Sequence, residues 1–280
     1  MQSLHRLGVC SWSLQPTSPA DLAHKLSKVG ARACQLHLDP LRDGSWDASE
    51  TLQALWGAGV SVLSGMMTPH GEDYSTLDTI RVSGGLRPSA HWTTNLEIAK
   101  GDARVARSLG LGLVTFHAGF LPHDAHDPER AVLLDRLRQV VDVFADQGVR
   151  LAFETGQETA DTLLHALADL QRPAAGVNFD PANMLLYGMG EPVDALRKLA
   201  PHVRQVHIKD ARRAKVAGTW GEEVPVGTGE VDWKAFFGVL AERKLSVDLM
   251  IEREAGSDRT GDIAVARKLV EAHVQLKRNA

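Results

Sequence analysis

The chain has 280 residues, 31 basic against 35 acidic side chains for a formal net charge of −4, and 44% hydrophobic residues. That length holds one large domain or two small ones, and the ordinary globular composition leaves little room for long disorder. The near-neutral balance excludes a chain whose main task is gripping a phosphate backbone, and no apolar run approaches the roughly 18 residues of a membrane span.

The N-terminal MQSLHRLGVCSWSL lacks a long apolar stretch and reads as mature sequence rather than a secretory signal. Two cysteines, Cys10 and Cys34, are too few for a disulfide framework, so a reducing cytoplasm is expected. A strand near 7–12 leads to a helix near 18–29, with Ser18 as its N-cap and Pro19 in its first turn. A strand near 32–38 precedes a helix near 47–58. The strand near 60–66 opens a long connection, 67–87, before a helix near 88–109. Strands near 111–118, 149–154 and 175–180 alternate with helices near 128–147, 159–171 and 192–200. A strand near 203–208 opens a second long connection, 209–230, before a helix near 231–243. The last unit pairs a strand near 247–252 with a helix near 260–277. Gly30, Gly59, Gly110 and Gly148 fall where a helix ends before an apolar run, as a left-handed C-terminal cap requires.

Eight strand–helix units predict an α/β protein, a (β/α)8 barrel forming a single domain over 1–280. An open doubly wound sheet competes, but it usually has fewer strands, and no G-x-G-x-x-G opens the first helix. Both long connections follow strands and therefore belong to the face that carries function in a barrel, as lids or binding loops.

Four strands end in groups able to bind a divalent cation: Glu154 in LAFE, Asp180 in VNFD, His207 in QVHIKD and Glu252 in LMIE. Their separations are 26 (180 − 154), 27 (207 − 180) and 45 (252 − 207), the last lengthened by the loop after the seventh strand. Period-two alternation turns Phe153, Phe179, Val206, Ile208 and Ile251 toward the helices and the four polar residues toward the barrel axis. Alone, each is more often a salt-bridge partner. Four in one phase, on four strand ends, reverse those odds, because three carboxylates and an imidazole aimed at one axis repel without a cation between them. Oxygen-rich sites with one His suit Mn²⁺, Mg²⁺ or Co²⁺ better than a thiolate-type zinc site.

These residues resemble the xylose-isomerase-like superfamily, the sugar isomerase/epimerase type of barrel, over essentially the whole chain. The resemblance rests on Glu154 in AFETG, Asp180-Pro-Ala-Asn183, His207-Ile-Lys-Asp210, Gly227-Thr-Gly-Glu-Val-Asp-Trp233 and Glu252 in IERE. It implies one divalent metal held by Glu154, Asp180, His207 and Glu252, with Mn²⁺ expected first and Mg²⁺, Co²⁺ or Zn²⁺ as alternatives. In the epimerase branch Glu154 and Glu252 also serve as the catalytic acid/base pair. One carboxylate removes a proton beside a ketone, and a second returns it to the same or the adjacent carbon. A cation on the substrate oxygens stabilises the enediolate charge.

Around this set, His117 in VTFHAG shares the inward phase and reads as a substrate contact or a hydrogen-bonded core histidine. Asn183 stands where several family members carry a substrate-touching His; it serves equally as a hydroxyl ligand or a helix cap. Lys209 and Arg213 follow His207 on the long loop, useful for an anionic substrate or merely solvated. Trp12 closes the first strand as a wall against the sugar's carbon face or as a core cap, and His70 lies just past the third strand with a similar claim. Asp210 reads as an orienting group for Lys209 or for backbone. Glu158 reads as a first-turn helix residue favoured by the macrodipole. Cys10 and Cys34 read as small buried residues, and Trp233, Phe236 and Phe237 as the apolar side of a helix.

The expected activity is a metal-dependent isomerase or epimerase acting on a small keto sugar or sugar phosphate, with no nucleic-acid or membrane partner; a homo-oligomer is compatible with the sequence. The alternative is a metal-dependent dehydratase or lyase on an inosose- or dehydroshikimate-like ketone, which begins with the same proton abstraction. An AP-endonuclease-type DNA-repair hydrolase fits less well, because Asn183 replaces an expected His and PVGTGEVDW supplies no Asp-x-His pair. A non-catalytic barrel is disfavoured by the intact ligand and acid/base residues.

Overall fold

The alternation of apolar runs and helical segments resolves into parallel strands closed on themselves. A computed structural model describes residues 4–276. Its strands are β1 (Leu7–Cys10), β2 (Ala33–His37), β3 (Ser61–Met66), β4 (Leu113–Phe116), β5 (Arg150–Glu154), β6 (Ala175–Phe179), β7 (Val203–Ile208), β8 (Asp210–Arg212), β9 (Glu222–Val224) and β10 (Asp248–Ile251). Eight of them close in the order β1-β10-β7-β6-β5-β4-β3-β2, while β8 and β9 form a separate antiparallel hairpin. The helices are α1 (Pro19–Lys28), α2 (Asp39–Arg42), α3 (Ala48–Gly57), α4 (Leu77–Ser83), α5 (Trp92–Ser108), α6 (Pro128–Asp146), α7 (Ala160–Leu170), α8 (Pro181–Leu186), α9 (Pro192–Leu199), α10 (Trp233–Glu242) and α11 (Arg259–His273). The chain is thus a single-domain (β/α)8 barrel, as the eight units predict. Among the described residues no helix is long and apolar enough to cross a membrane.

Local chemistry explains the boundaries. Ser18 accepts from the Asp21 amide at 3.1 Å and Pro19 opens α1, as expected. Gly148 closes α6 at φ 74°, a conformation that costs an L side chain about 1–2 kcal/mol. The outward phase builds the core: Phe116 and Phe153 meet edge-on at 5.7 Å, and Phe179 packs on Phe236 of α10 at 5.9 Å. Each such fully buried side chain contributes roughly 1.5–3 kcal/mol of apolar transfer. The inward phase below the mouth is polar instead. Gln35, Ser64, Thr115, Asn178 and Gln205 are all fully buried and joined by hydrogen bonds, including Ser64 to Gln205 at 2.6 Å and Gln205 to Gln35 at 2.9 Å.

Several expectations need correction. The first strand stops at Cys10, and Ser11–Leu14 form a 3₁₀ turn. Ser11 and Ser13 hydroxyls accept the His37 and Arg253 amides, each at 2.9 Å, so side chains take over from the ladder there. Trp12 therefore sits in a turn rather than ending a strand. The expected helix 88–109 begins with a separate 3₁₀ turn, Ser89–His91. The connection 67–87 contains α4, started by the reciprocal Thr76–Thr79 cap, and 209–230 contains the β8–β9 hairpin. Two short helices, α2 and α8, have too few residues to show a period. The last helix ends at His273, and residue 277 of its expected span lies outside the described residues.

Candidate metal centre

Glu154 ends β5, Asp180 follows β6 as the N-cap of α8, His207 lies within β7, and Glu252 follows β10. Barrel closure brings one ligand atom from each to within 4.8 Å of the others, and all four residues are buried. His207 Nδ1 lies 3.3 Å from Glu154 Oε1, 3.3 Å from Glu252 Oε2 and 3.7 Å from Asp180 Oδ2. Asp180 Oδ2 and His207 Nδ1 are buried without a hydrogen-bond partner, and Glu252 Oε2 beside them meets only the Lys209 ammonium, at 3.0 Å. Orphaned buried polar atoms are rare. Two of them, with a Glu252 oxygen, facing one small space are what a bound cation satisfies, and three carboxylates with one imidazole suit a divalent ion. Glu154, Asp180, His207 and Glu252 would hold it.

The rest of each ligand is tied down. Glu252 Oε1 accepts the Trp12 indole N–H at 2.7 Å, and its Oε2 lies 3.0 Å from the Lys209 ammonium. Glu154 accepts from Asn183 Nδ2 at 2.9 Å and from Asn178 Nδ2 at 3.2 Å. Asp180 Oδ1 caps α8 through the Asn183 amide at 2.9 Å. Asp180 rather than Asn183 is therefore the helix cap, and the Asn183 side chain stands at the site on Glu154. Burial opposes ionisation of Glu252, but Lys209 and His207 hold its carboxyl well below the usual range. Burial pushes Asp180 up to about 6 against the opposing pull of His207 and Lys209. Burial also works against the His117 imidazolium, yet Glu154 and Glu72 raise it on balance.

Above the ring opens a cavity of about 450 Å³ lined by Trp12, His117, Asn183, Lys209 and Glu252, among others. His117 Nε2 is 3.8 Å from Glu154 Oε1. Two expected substrate contacts lie elsewhere. His70 sits edge-on to His91 at 5.0 Å and faces a neighbouring depression, because its backbone is anchored to the Asn95 amide side chain. Arg213 is held at the surface by Glu191 at 2.6 Å and Glu230 at 2.8 Å. Glu158 precedes the Thr159 cap of α7 and is buried, so it is no first-turn residue; burial alone raises it to about 8. Asp210 is a staple for the GTGEVDW segment, accepting from Ala211, Gly227, Gly229 and Val231 amides and the Trp233 indole at 2.8–3.2 Å.

The sequence reading passed over Glu72, Tyr74, Tyr187, Trp220 and Glu254, all at the cavity. They come from irregular loop or helix-end positions without periodicity. Asn178 and Gln205 carry a usable signal, since each stands two residues before a ligand in the inward phase.

Fold and site together define a (β/α)8 barrel with a candidate metal centre at its C-terminal mouth. The chain belongs to the xylose isomerase-like TIM barrel family, which it matches over residues 23–273. A xylose isomerase domain protein from Planctomyces limnophilus is 30% identical, with a TM-score of 0.87 over 96% of this chain and 97% of that one. A Methylomonas sp. D-allulose 3-epimerase in complex with D-allulose has a TM-score of 0.71 at 16% identity, covering 98% of each chain, which is a likeness of fold. An inosose dehydratase of Clostridium botulinum (strain Alaska E43 / Type E3) is 25% identical over 145 residues, 46% of this chain and 48% of that protein. The chain spans about half the length, or less, of the curated relatives it matches.

Proposed function

We propose that the chain is a divalent-metal-dependent isomerase or epimerase, with Mn²⁺ the first candidate ion, acting on an uncharged polyhydroxy ketone. The observation that carries the reading is the convergence of Glu154, Asp180, His207 and Glu252, with Asp180 Oδ2 and His207 Nδ1 unpartnered, beside the cavity that Glu252 lines. When bound, a cation there supplies polarisation of a substrate carbonyl and its neighbouring hydroxyl. Glu154 ends β5 and Glu252 follows β10, strands separated in the barrel by β6 and β7, so one can take a carbon-bound proton and the other return one. Trp12 and Asn183 hold these carboxylates in place. Among the described residues Lys209 is the one Lys or Arg lining the cavity, and it is already paired with Glu252 at 3.0 Å and Glu254 at 2.6 Å. Such a lining favours a neutral substrate over a phosphorylated one.

The test is deuterium incorporation beside the carbonyl in D₂O with Mn²⁺, across free ketoses, their phosphates and cyclic ketones. Glu154→Gln and Glu252→Gln are each expected to slow exchange by about 10²–10⁴-fold. Near-normal exchange in both variants overturns the assignment. The sequence match to an inosose dehydratase supports a second reading, elimination from a cyclic ketone. A new ultraviolet-absorbing conjugated ketone as product selects it.

A further inference from the structure

His207 offers its ring nitrogens to two different neighbourhoods. Nδ1 faces the three carboxylates, and Nε2 points down the barrel axis to Gln35 Oε1 at 2.8 Å. The orientation of the Gln35 amide is not free. Its nitrogen lies 3.2 Å from the Gly65 carbonyl, which only accepts, and 2.8 Å from Thr115 Oγ1. The NH₂ must therefore face β3 and β4, leaving Oε1 toward His207. Gln205 Nε2 donates to the same oxygen at 2.9 Å, and the Cys10 thiol approaches it at 3.6 Å. An oxygen so placed requires a hydrogen on His207 Nε2.

A competitor is present. Asn178 Nδ2 lies 3.0 Å from Nε2 and, by itself, would favour a lone pair there. Without the hydrogen, however, Nε2 and Gln35 Oε1 would oppose one another as two buried acceptors, which costs about 1–3 kcal/mol. With it, Asn178 keeps its bond to Glu154 Oε2 at 3.2 Å. We infer that Gln35 is a positioning residue that fixes the neutral His207 ring as the Nε2–H tautomer and so presents the Nδ1 lone pair to the metal. Partners of this kind raise metal affinity by orienting the ligand and fixing its proton. Gln35 reaches the metal only through His207.

This inference rests on the metal reading proposed above. The test uses the full chain loaded with Mg²⁺ and long-range ¹H–¹⁵N spectra of His207, alongside calorimetric Mn²⁺ binding. The wild type is expected to carry its ring proton on Nε2. Gln35→Met, which keeps the length but removes the acceptor, is expected to weaken Mn²⁺ binding by about 10–100-fold. Gln35→Glu, whose buried carboxyl keeps its proton toward the Gly65 carbonyl and its acceptor oxygen toward His207, is expected to recover part of that loss. A Mg²⁺-loaded wild type protonated on Nδ1, or a folded Gln35→Met chain that binds Mn²⁺ as tightly as the wild type, overturns the inference alone. A wild type that takes up neither ion overturns the metal reading and this inference with it. If Gln35→Met does not fold, the wild-type spectrum decides.

Discussion

Replacing Glu158 by Gln is expected to make the protein more stable, by an amount that grows with pH. The carboxyl, just before the Thr159 cap of α7, is buried with no hydrogen bond or ion pair among the described residues, and burial alone raises it to about 8. An unfolded Glu titrates near 4.3, so the shift is roughly 3.7 pH units, or about 5 kcal/mol at about 1.36 kcal/mol per unit. Below about pH 4 both states hold the proton and the group contributes no pH dependence. Between about pH 4.3 and 8 the unfolded chain sheds a proton that the folded chain keeps, so stability falls as pH rises. From pH 5 to pH 7.5 the wild type should lose about 3 kcal/mol through this group, and Glu158→Gln should not. Urea unfolding of both proteins at pH 4, 5, 6, 7 and 7.5, followed by tryptophan fluorescence, measures the difference. Any cost of the amide itself is constant with pH, so the slope belongs to the carboxyl. A stability difference that is flat with pH, or that turns against the variant as pH rises, refutes the reasoning.

Trp12→Phe keeps an apolar wall but removes the indole N–H from Glu252 Oε1, and should lower turnover about tenfold with little change in KM, the loss of about 1.4 kcal/mol expected for one charge-assisted bond. Steady-state kinetics on the substrate found in the exchange screen checks it. Asp210→Asn turns an amide NH₂ toward the donors of Gly227, Gly229 and Trp233 and should destabilise by about 3 kcal/mol, read by urea unfolding. Saturating Mn²⁺ at about 100 times its Kd should stabilise the fold by about 2.7 kcal/mol, and EDTA should abolish the gain; an unchanged unfolding curve would count against the ring as a cation site.

Much of this was written locally. Eight rounds of short apolar run and helical segment specify the barrel, because each strand must bury one face against its helix. The same alternation orders Glu154, Asp180, His207 and Glu252 in one inward phase, since a one-residue slip would turn them toward the helices and Phe153, Phe179, Val206 and Ile251 toward the axis. Asn178 and Gln205 obey that phase as well and were legible in principle.

Pairings between distant segments were settled by closure. β1 lies beside β10 only because the sheet closes, and that adjacency carries the turn with Trp12 onto Glu252, 240 residues away in sequence. Lys209 and Arg213 are alike as text on one loop. One is folded inward between Glu252 and Glu254, and the other is claimed by Glu191 and Glu230. The proton position on His207 depends on Gln35, whose amide is itself turned by a carbonyl on β3. Periodicity is a property of neighbouring residues, so a single strand suffices to write it. Hydrogen-bond partners are chosen by distance in space, and that becomes definite only when the barrel shuts.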